Sequence, residues 1–250
     1  MKNAGKLESF AKRLVLRACG VGAVQRRIGV IGAFHGRLVR QRVFRNLNID
    51  LVVDVGANEG QFAREIRRYS YDGEIISFEP TSAAYAQLVR ASSRDRLWNV
   101  RQLALGERNM TQVMNVAALG VFNSFLETSA YCKEHFGPGS AGAKEETVAI
   151  RRLDEVLTEI IPNLQQRRPF LKVDTQGYDL EVLKGLGDSL RFFPALQCEV
   201  SMIPLYDGSP HWTETISFLE KAGFAVAGFL PVVDDDLAMV ESDCLLVRAG

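Results

Sequence analysis

The chain has 250 residues, 47% of them hydrophobic and 24% charged, which is enough for one large domain with a sizeable buried core. Its 21 glycines and 8 prolines exclude collagen-like and long disordered architectures. Thirty Lys and Arg balance thirty Asp and Glu, but the zero is divided. Residues 1–45 hold eleven bases against one acid, Glu8, and so carry +10; the remainder, with 19 bases and 29 acids, carries −10. Such an asymmetry points to a membrane surface, nucleic acid or acidic partner for the front segment.

Residues 1–47 read as a basic helical extension, with Leu7, Phe10, Ala11, Leu14 and Ala18 on one helical face and Lys6, Arg13 and Arg17 beside it. Two arrangements suit this pattern. One is a helix packed on the main domain with snorkelling bases, and the other is an arm facing an anionic membrane or ligand. Bases recur through residue 45, and the apolar run Ile28 to Phe34 is short and broken by glycine, so no secretory signal is expected. No stretch approaches the ~20 apolar residues of a membrane helix. Cys19, Cys132, Cys198 and Cys244 are far apart and form no Cys-x-x-Cys pair. They read as small buried hydrophobes in a reducing compartment, which predicts a cytoplasmic protein.

From residue 48 the pattern becomes one of strands alternating with helices. Leu51 to Val55 is a β-branched strand ending in Gly56, followed by a helix from Gln61 to Tyr69. A second strand, Glu74 to Phe78, closes on Glu79-Pro80; a helix follows over Ser82 to Ser92, then a third strand over Asn99 to Leu105. Thr111 to Val116 suits a strand, and Ala117 to Ala143 reads as a long loop of the kind that forms a lid. A strand at Thr147 to Arg151, a helix at Leu153 to Ile161 and a buried strand at Phe170 to Asp174 come next. Then follow a helix from Tyr178 to Lys184, a strand from Ala195 to Val200, a polar loop to His211 and a helix from Thr213 to Ala222. Strands at Phe224 to Pro231 and Leu245 to Arg248, with a turn at Asp234 to Asp236, complete the chain. This order implies βαβ units and a parallel sheet covered on both faces.

The stretch Asp54-Val55-Gly56-Ala57-Asn58-Glu59-Gly60, between a strand and a helix, is the most informative. Ligands of open α/β sheets sit beyond the carboxyl ends of the strands. Gly56 permits a tight turn, Gly60 a close approach, and Asp54 can answer a ligand ammonium. Glu79, 25 residues after Asp54, is placed to accept hydrogen bonds from both ribose hydroxyls. Together these describe a nucleoside ligand bearing an ammonium. A dinucleotide fits less well, because Gly-x-x-x-Gly lacks the Gly-x-Gly-x-x-Gly cradle, and no Walker loop is present.

Four stretches in this order resemble the FkbM family of S-adenosylmethionine-dependent methyltransferases. They are VVDVGANEGQF after Leu51, IISFEP at Ile75–Pro80, VRQLALGE at Val100–Glu107, and LKVDTQGYDLEVLKG at Leu171–Gly185. Arg152-Leu153-Asp154 and Asn123-Ser124-Phe125 are also similar to stretches of that family, and the likeness runs from about residue 48 to residue 249. The resemblance implies an α/β fold of the class I methyltransferase, Rossmann-like type. That fold has a seven-stranded, mostly parallel sheet with an antiparallel C-terminal strand. It also implies S-adenosyl-L-methionine as cofactor. Asp54, Gly56, Ala57, Asn58 and Gly60 would hold the methionine end, Glu79 the ribose, and Leu103 and Ala104 the adenine.

For the chemistry, Asp174 ends the fourth main strand beside the crevice, with Lys172 two residues back on the same side. It can act as a base, contact the cofactor or cap the following helix. Glu199 near the end of the next strand is a second candidate, since burial raises a carboxyl toward a useful base. His211, in the loop beyond the same strand, is a third; His135 and His35 are weaker. Asp174, Glu199 and Asp207 carry hard oxygens, but no spacing demands a metal, and none is predicted. The expected activity is O-methylation of a hydroxyl, on a sugar or glycolipid, by a protein peripheral to the inner face of an anionic membrane through residues 1–45. Two other classes remain: a nucleic-acid methyltransferase gripping phosphates with its basic arm, and a non-catalytic nucleotide-binding module. Against the first, the strand ends in Asp174-Thr175-Gln176-Gly177 and not in a Pro-Pro-aromatic run.

Overall fold

The computed structural model describes residues 36–235 and 238–249. The features expected in residues 1–35, including the apolar face at Leu7 to Ala18, Cys19 and His35, lie outside the described residues, as does Asp236. Seven strands form one sheet in the order β3-β2-β1-β7-β8-β10-β9. These are β1 (Leu51–Val55), β2 (Glu74–Phe78), β3 (Trp98–Arg101), β7 (Pro169–Val173), β8 (Ala195–Ser201), β9 (Phe224–Asp235) and β10 (Ala238–Arg248). The first five pair in parallel, and β10 runs antiparallel to both β8 and β9. The late hairpin expected around Asp234 is thus β9–β10, both strands longer than the sequence indicates.

Strands buried on both faces are mostly apolar, and β1 and β7, apolar but for Asp54 and Lys172, carry almost no exposed side chain. One face is covered by α1 (residues 36–46), α2 (Gln61–Arg68) and α3 (Ser82–Ser92), through Val43, Phe44, Ala63, Ile66 and Leu88. The other is covered by α5 (Leu153–Ile160), α6 (Asp179–Lys184) and α7 (Trp212–Lys221), through Leu153, Leu157, Val182, Leu183, Ile216 and Leu219. At α1, Arg37 and Arg40 are held to the domain. Arg40 Nε donates to Gln197 Oε1 at 2.9 Å, the guanidinium lies over the Phe62 ring, and Arg37 pairs with Glu65. Arg42 and Arg45 are exposed.

The middle of the chain departs from expectation. The third strand breaks at Gln102-Leu103, and its second half becomes β4 (Ala104–Gly106) of a separate three-stranded sheet, β4-β6-β5. That sheet is completed by β5 (Met110–Ala117) and β6 (Gly142–Arg152), an antiparallel pair. The stretch read as a lid loop contains α4 (Ala130–Phe136), whose first turn is capped by Ser129 Oγ accepting from Cys132 N, and then the start of β6. Phe122, Cys132 and Phe136 pack with Leu205 and Tyr206, so this segment owns a small core. Cys132, Cys198 and Cys244 are free and buried. Among the described residues no helix is long and apolar enough to cross a membrane.

Candidate active site

Strand register brings the polar groups together. Asp54 stands beside Ser77 on β2 and Lys172 on β7, and Lys172 stands beside Gln197 on β8. Glu199 faces Asp243, and Ser201 faces Glu241, across β8 and β10. Side chains of register partners share a face, so a polar row crosses an otherwise apolar sheet. Its carboxyl-terminal end opens into a cleft lined by residues of β1, β7, β8 and β10, by Glu79 and Pro80 just after β2, and by β4, β5 and the segment that follows β5.

The turn after β1 is built from alternating left-handed residues, Gly56 (φ 77°), Asn58 (φ 47°) and Gly60 (φ 83°). It folds back on β2: Gly56 N and Ala57 N both donate to Phe78 O, and Asn58 N donates to Glu79 Oε2 at 2.9 Å. Glu79 Oε1 accepts from Thr81 N and Thr81 Oγ1. The carboxylate is thereby fixed at the cleft wall. Burial raises its pKa, and the bonds from Thr81 and Asn58 oppose the rise. Asp54 is buried and accepts from Ser77 Oγ at 2.9 Å, and Ser77 Oγ in turn accepts from Trp98 Nε1. Burial pushes the Asp54 carboxyl up to about 6, with Ser77 and Lys172 pulling the other way.

Of the residues expected to hold the cofactor, Asp54, Gly56, Ala57, Asn58, Glu79, Leu103 and Ala104 line this cleft. Gly60 lies behind it. A side chain there would stand 2.7 Å from the Trp98 ring, so the glycine is required by the packing of Trp98 and Leu88 and by its φ.

Asp174 and Glu199 also line the cleft, and the structure shows how they are held. Lys172 Nζ lies 3.0 Å from Asp174 Oδ2 and 3.4 Å from Asp243 Oδ1. Burial works against the Lys172 charge, but Asp174, Asp243, Glu199 and Asp179 outweigh it and raise the pKa. Gln176 Nε2 donates to Asp174 Oδ1 at 3.0 Å and to Glu199 Oε2 at 2.9 Å. Burial pushes Glu199 well above the usual carboxyl range, and Glu241, Asp174, Asp179 and Asp243 add to the effect. Glu241 is pushed up to about 8 by burial, although Ser201 Oγ donates to it.

His211 is placed elsewhere. It is the N-cap of α7, its ring accepts from Thr213 N, Glu214 answers its backbone in a capping box, and it does not border the cleft. Asp207 lies exposed in the loop before it, and among the described residues no cluster is arranged to hold a metal ion. Sequence reasoning missed Gln176, Glu241 and Tyr206. The left-handed Gln176–Gly177 pair is the one signal that pointed there, as Gln-Gly after a strand end.

The Methyltransferase FkbM domain matches residues 54–226. The chain belongs to this methyltransferase family. "Methyltransferase 1" of Beauveria bassiana (strain ARSEF 2860) is 28% identical over 186 residues, covering 70% of this chain and 72% of that protein. "Methyltransferase sdnD" of Sordaria araneosa is 30% identical over 160 residues, covering 55% of this chain and 60% of that one. Among solved structures, magnesium protoporphyrin IX methyltransferase from Synechocystis PCC 6803, with bound S-adenosylmethionine, aligns over 98% of this chain and 94% of its own. Its sequence identity is 13% and the TM-score 0.44. The FkbM domain takes S-adenosylmethionine as its methyl donor, and the cleft fits it. Glu79 would offer a fixed carboxylate to a ribose diol and Asp54 an acid to the amino group, and the Gly56 turn packs so closely on the end of β7 that any larger residue would strike the Asp174 backbone. The donor supplies an electrophilic methyl carbon on a sulfonium.

Proposed function

We propose that this methyltransferase acts on oxygen, transferring the methyl group to a hydroxyl of a sugar or glycolipid. The observation that carries the reading is Asp174. It stands at the cleft wall between Lys172 and Gln176, each at 3.0 Å, with its side chain partly open to the cleft. Methyl transfer is an in-line displacement, so the protein must align the acceptor oxygen and exclude water. Asp174 takes the hydroxyl proton as the carbon–oxygen bond forms and the carbon–sulfur bond breaks, and Lys172 holds the carboxylate in place. Met114, Val121, Phe125 and Tyr178 give the cleft an apolar, partly aromatic lining suited to a sugar ring face, with Asn123 as a polar contact.

The surplus of bases in residues 1–45 supports a cytoplasmic enzyme resting on the anionic inner face of a membrane, where a glycolipid acceptor would lie. Vesicle sedimentation of the full chain tests this: binding to phosphatidylglycerol vesicles that weakens with salt is expected, and equal binding to neutral vesicles contradicts it.

The test of the reaction is transfer from methyl-labelled S-adenosylmethionine into a total polar-lipid and glycolipid extract. Label on a sugar oxygen is expected, lost in Asp174→Asn while S-adenosylhomocysteine still binds. Label on nitrogen, or in RNA offered beside the extract, refutes the reading.

A further inference from the structure

Besides Asn58 in the turn after β1, the cleft has a second left-handed residue that is not glycine. Gln176 has φ 52° and is followed by Gly177 at φ 87°. Glycine, asparagine or aspartate is the usual occupant of such a position, and a glutamine there is strained. Strain of this kind persists where surrounding contacts impose it, and it concentrates at functional sites.

Polar contacts hold Gln176 on every side. The Gln176 carbonyl accepts from Ser124 Oγ at 2.6 Å, which ties the turn to the inserted segment. Its side-chain Oε1 accepts from Tyr206 OH at 2.7 Å, and Tyr206 is fully buried. Phenol donation to Oε1 fixes which end of the amide faces the cleft. The NH2 end is then directed at Asp174 Oδ1 and Glu199 Oε2 together. An amide has two N–H donors, and here each is assigned to a different carboxyl. Lys172, paired with Asp174, also feels the charge of Glu199.

We infer that Gln176 is a positioning residue of the transfer step, an amide clamp locked by Tyr206 that holds Asp174 and Glu199 at the place where the acceptor hydroxyl must lie. This rests on the reading of Asp174 as the base. It predicts that the left-handed backbone serves the side chain, and that a residue better suited to the backbone but lacking the amide will fold and fail.

Gln176→Gly is that variant, since glycine accepts this φ without strain. Tyr206→Phe in the same chain removes the hydroxyl that the substitution orphans, should the single variant fold poorly. Crystals of wild type and variant with S-adenosylhomocysteine are compared, and transfer of labelled methyl to the lipid extract is measured. The Asp174 and Glu199 carboxylates should shift by about 1 Å or more with Asp54 and Glu79 unmoved, since an error of that size costs on the order of 10²-fold in rate. The loss should fall on kcat, with the KM for the donor unchanged. Gln176→Glu, which keeps the size and replaces the donor NH2 by an acceptor, should not rescue. Carboxylates that stay in place, or a variant that turns over at the wild-type rate, overturn the inference. If wild type itself transfers no label to any acceptor, the proposed function falls, and the carboxylate positions still decide the role of Gln176.

Discussion

Gly56→Ala tests whether the cofactor turn and the strand end carrying Asp174 are one rigid unit. Gly56 has φ 77°, and a Cβ added there would lie 2.7 Å from the Asp174 carbonyl carbon and closer still to its oxygen. Neither side has room to yield, because Asp174 N donates to Val55 O at 3.0 Å and Gly56 N donates to Phe78 O at 3.0 Å. The left-handed backbone costs an alanine about 1–2 kcal/mol, and forcing two backbones apart costs about 1–3 kcal/mol more. At roughly 2–4 °C per kcal/mol for a chain of this size, the melting temperature should fall by on the order of 10 °C. Gly208→Ala isolates the backbone part: Gly208 has φ 80° and no atom within 4 Å of an added Cβ. Scanning calorimetry of both variants gives the difference that belongs to the close approach. Equal melting temperatures for the two would refute it, and so would undiminished S-adenosylhomocysteine affinity in Gly56→Ala.

Glu79→Gln should weaken S-adenosylhomocysteine by about 10–100-fold in a calorimetric titration, the worth of one or two hydrogen bonds to a charged acceptor. Gly60→Ala should lower the melting temperature through its contact with Trp98 and alter the fluorescence of that residue, with donor affinity kept. His211→Ala should cost about 1 kcal/mol as a lost helix cap and leave donor binding unchanged. Glu241, Asp54 and Asp179 all have raised pKa values in the folded state, near 8 for Glu241 and near 6 for the other two. The folded protein therefore holds protons that the unfolded chain has already released. Their contribution is complete below the ordinary carboxyl range and is lost as pH rises through 6 and then 8. The melting temperature should decline between pH 5 and pH 8, and Glu241→Gln should flatten the upper part of that decline.

What could be read in the sequence was whatever announces itself locally. The end of β1 was legible because a β-branched run stops at Gly56 after a buried acid, and Glu79 because Pro80 marks the end of β2. The second sheet was not. β4 is three residues long and continues β3 after a two-residue break, so no change of periodicity marks the switch of sheets. The first part of β6, Gly142 to Glu146, is mostly exposed and lacks a buried face, so the strand is legible only from Thr147. The supporting groups of the site were hidden for a different reason. Gln176 meets Glu199 and Tyr206 only through the parallel order of β7 and β8, and Glu241 reads as a surface acid until β10 pairs it with Ser201. The basic segment divides likewise: Arg40 is fixed by a buried glutamine on β8, 157 residues away in sequence.

A crystal structure of the full chain with S-adenosylhomocysteine tests the central claim most directly. Both ribose hydroxyls should lie within hydrogen-bond distance of Glu79, with the amino group toward Asp54 and the sulfur facing the Asp174 carboxylate. A nucleoside bound away from Glu79, or a sulfur turned from Asp174, would contradict the account.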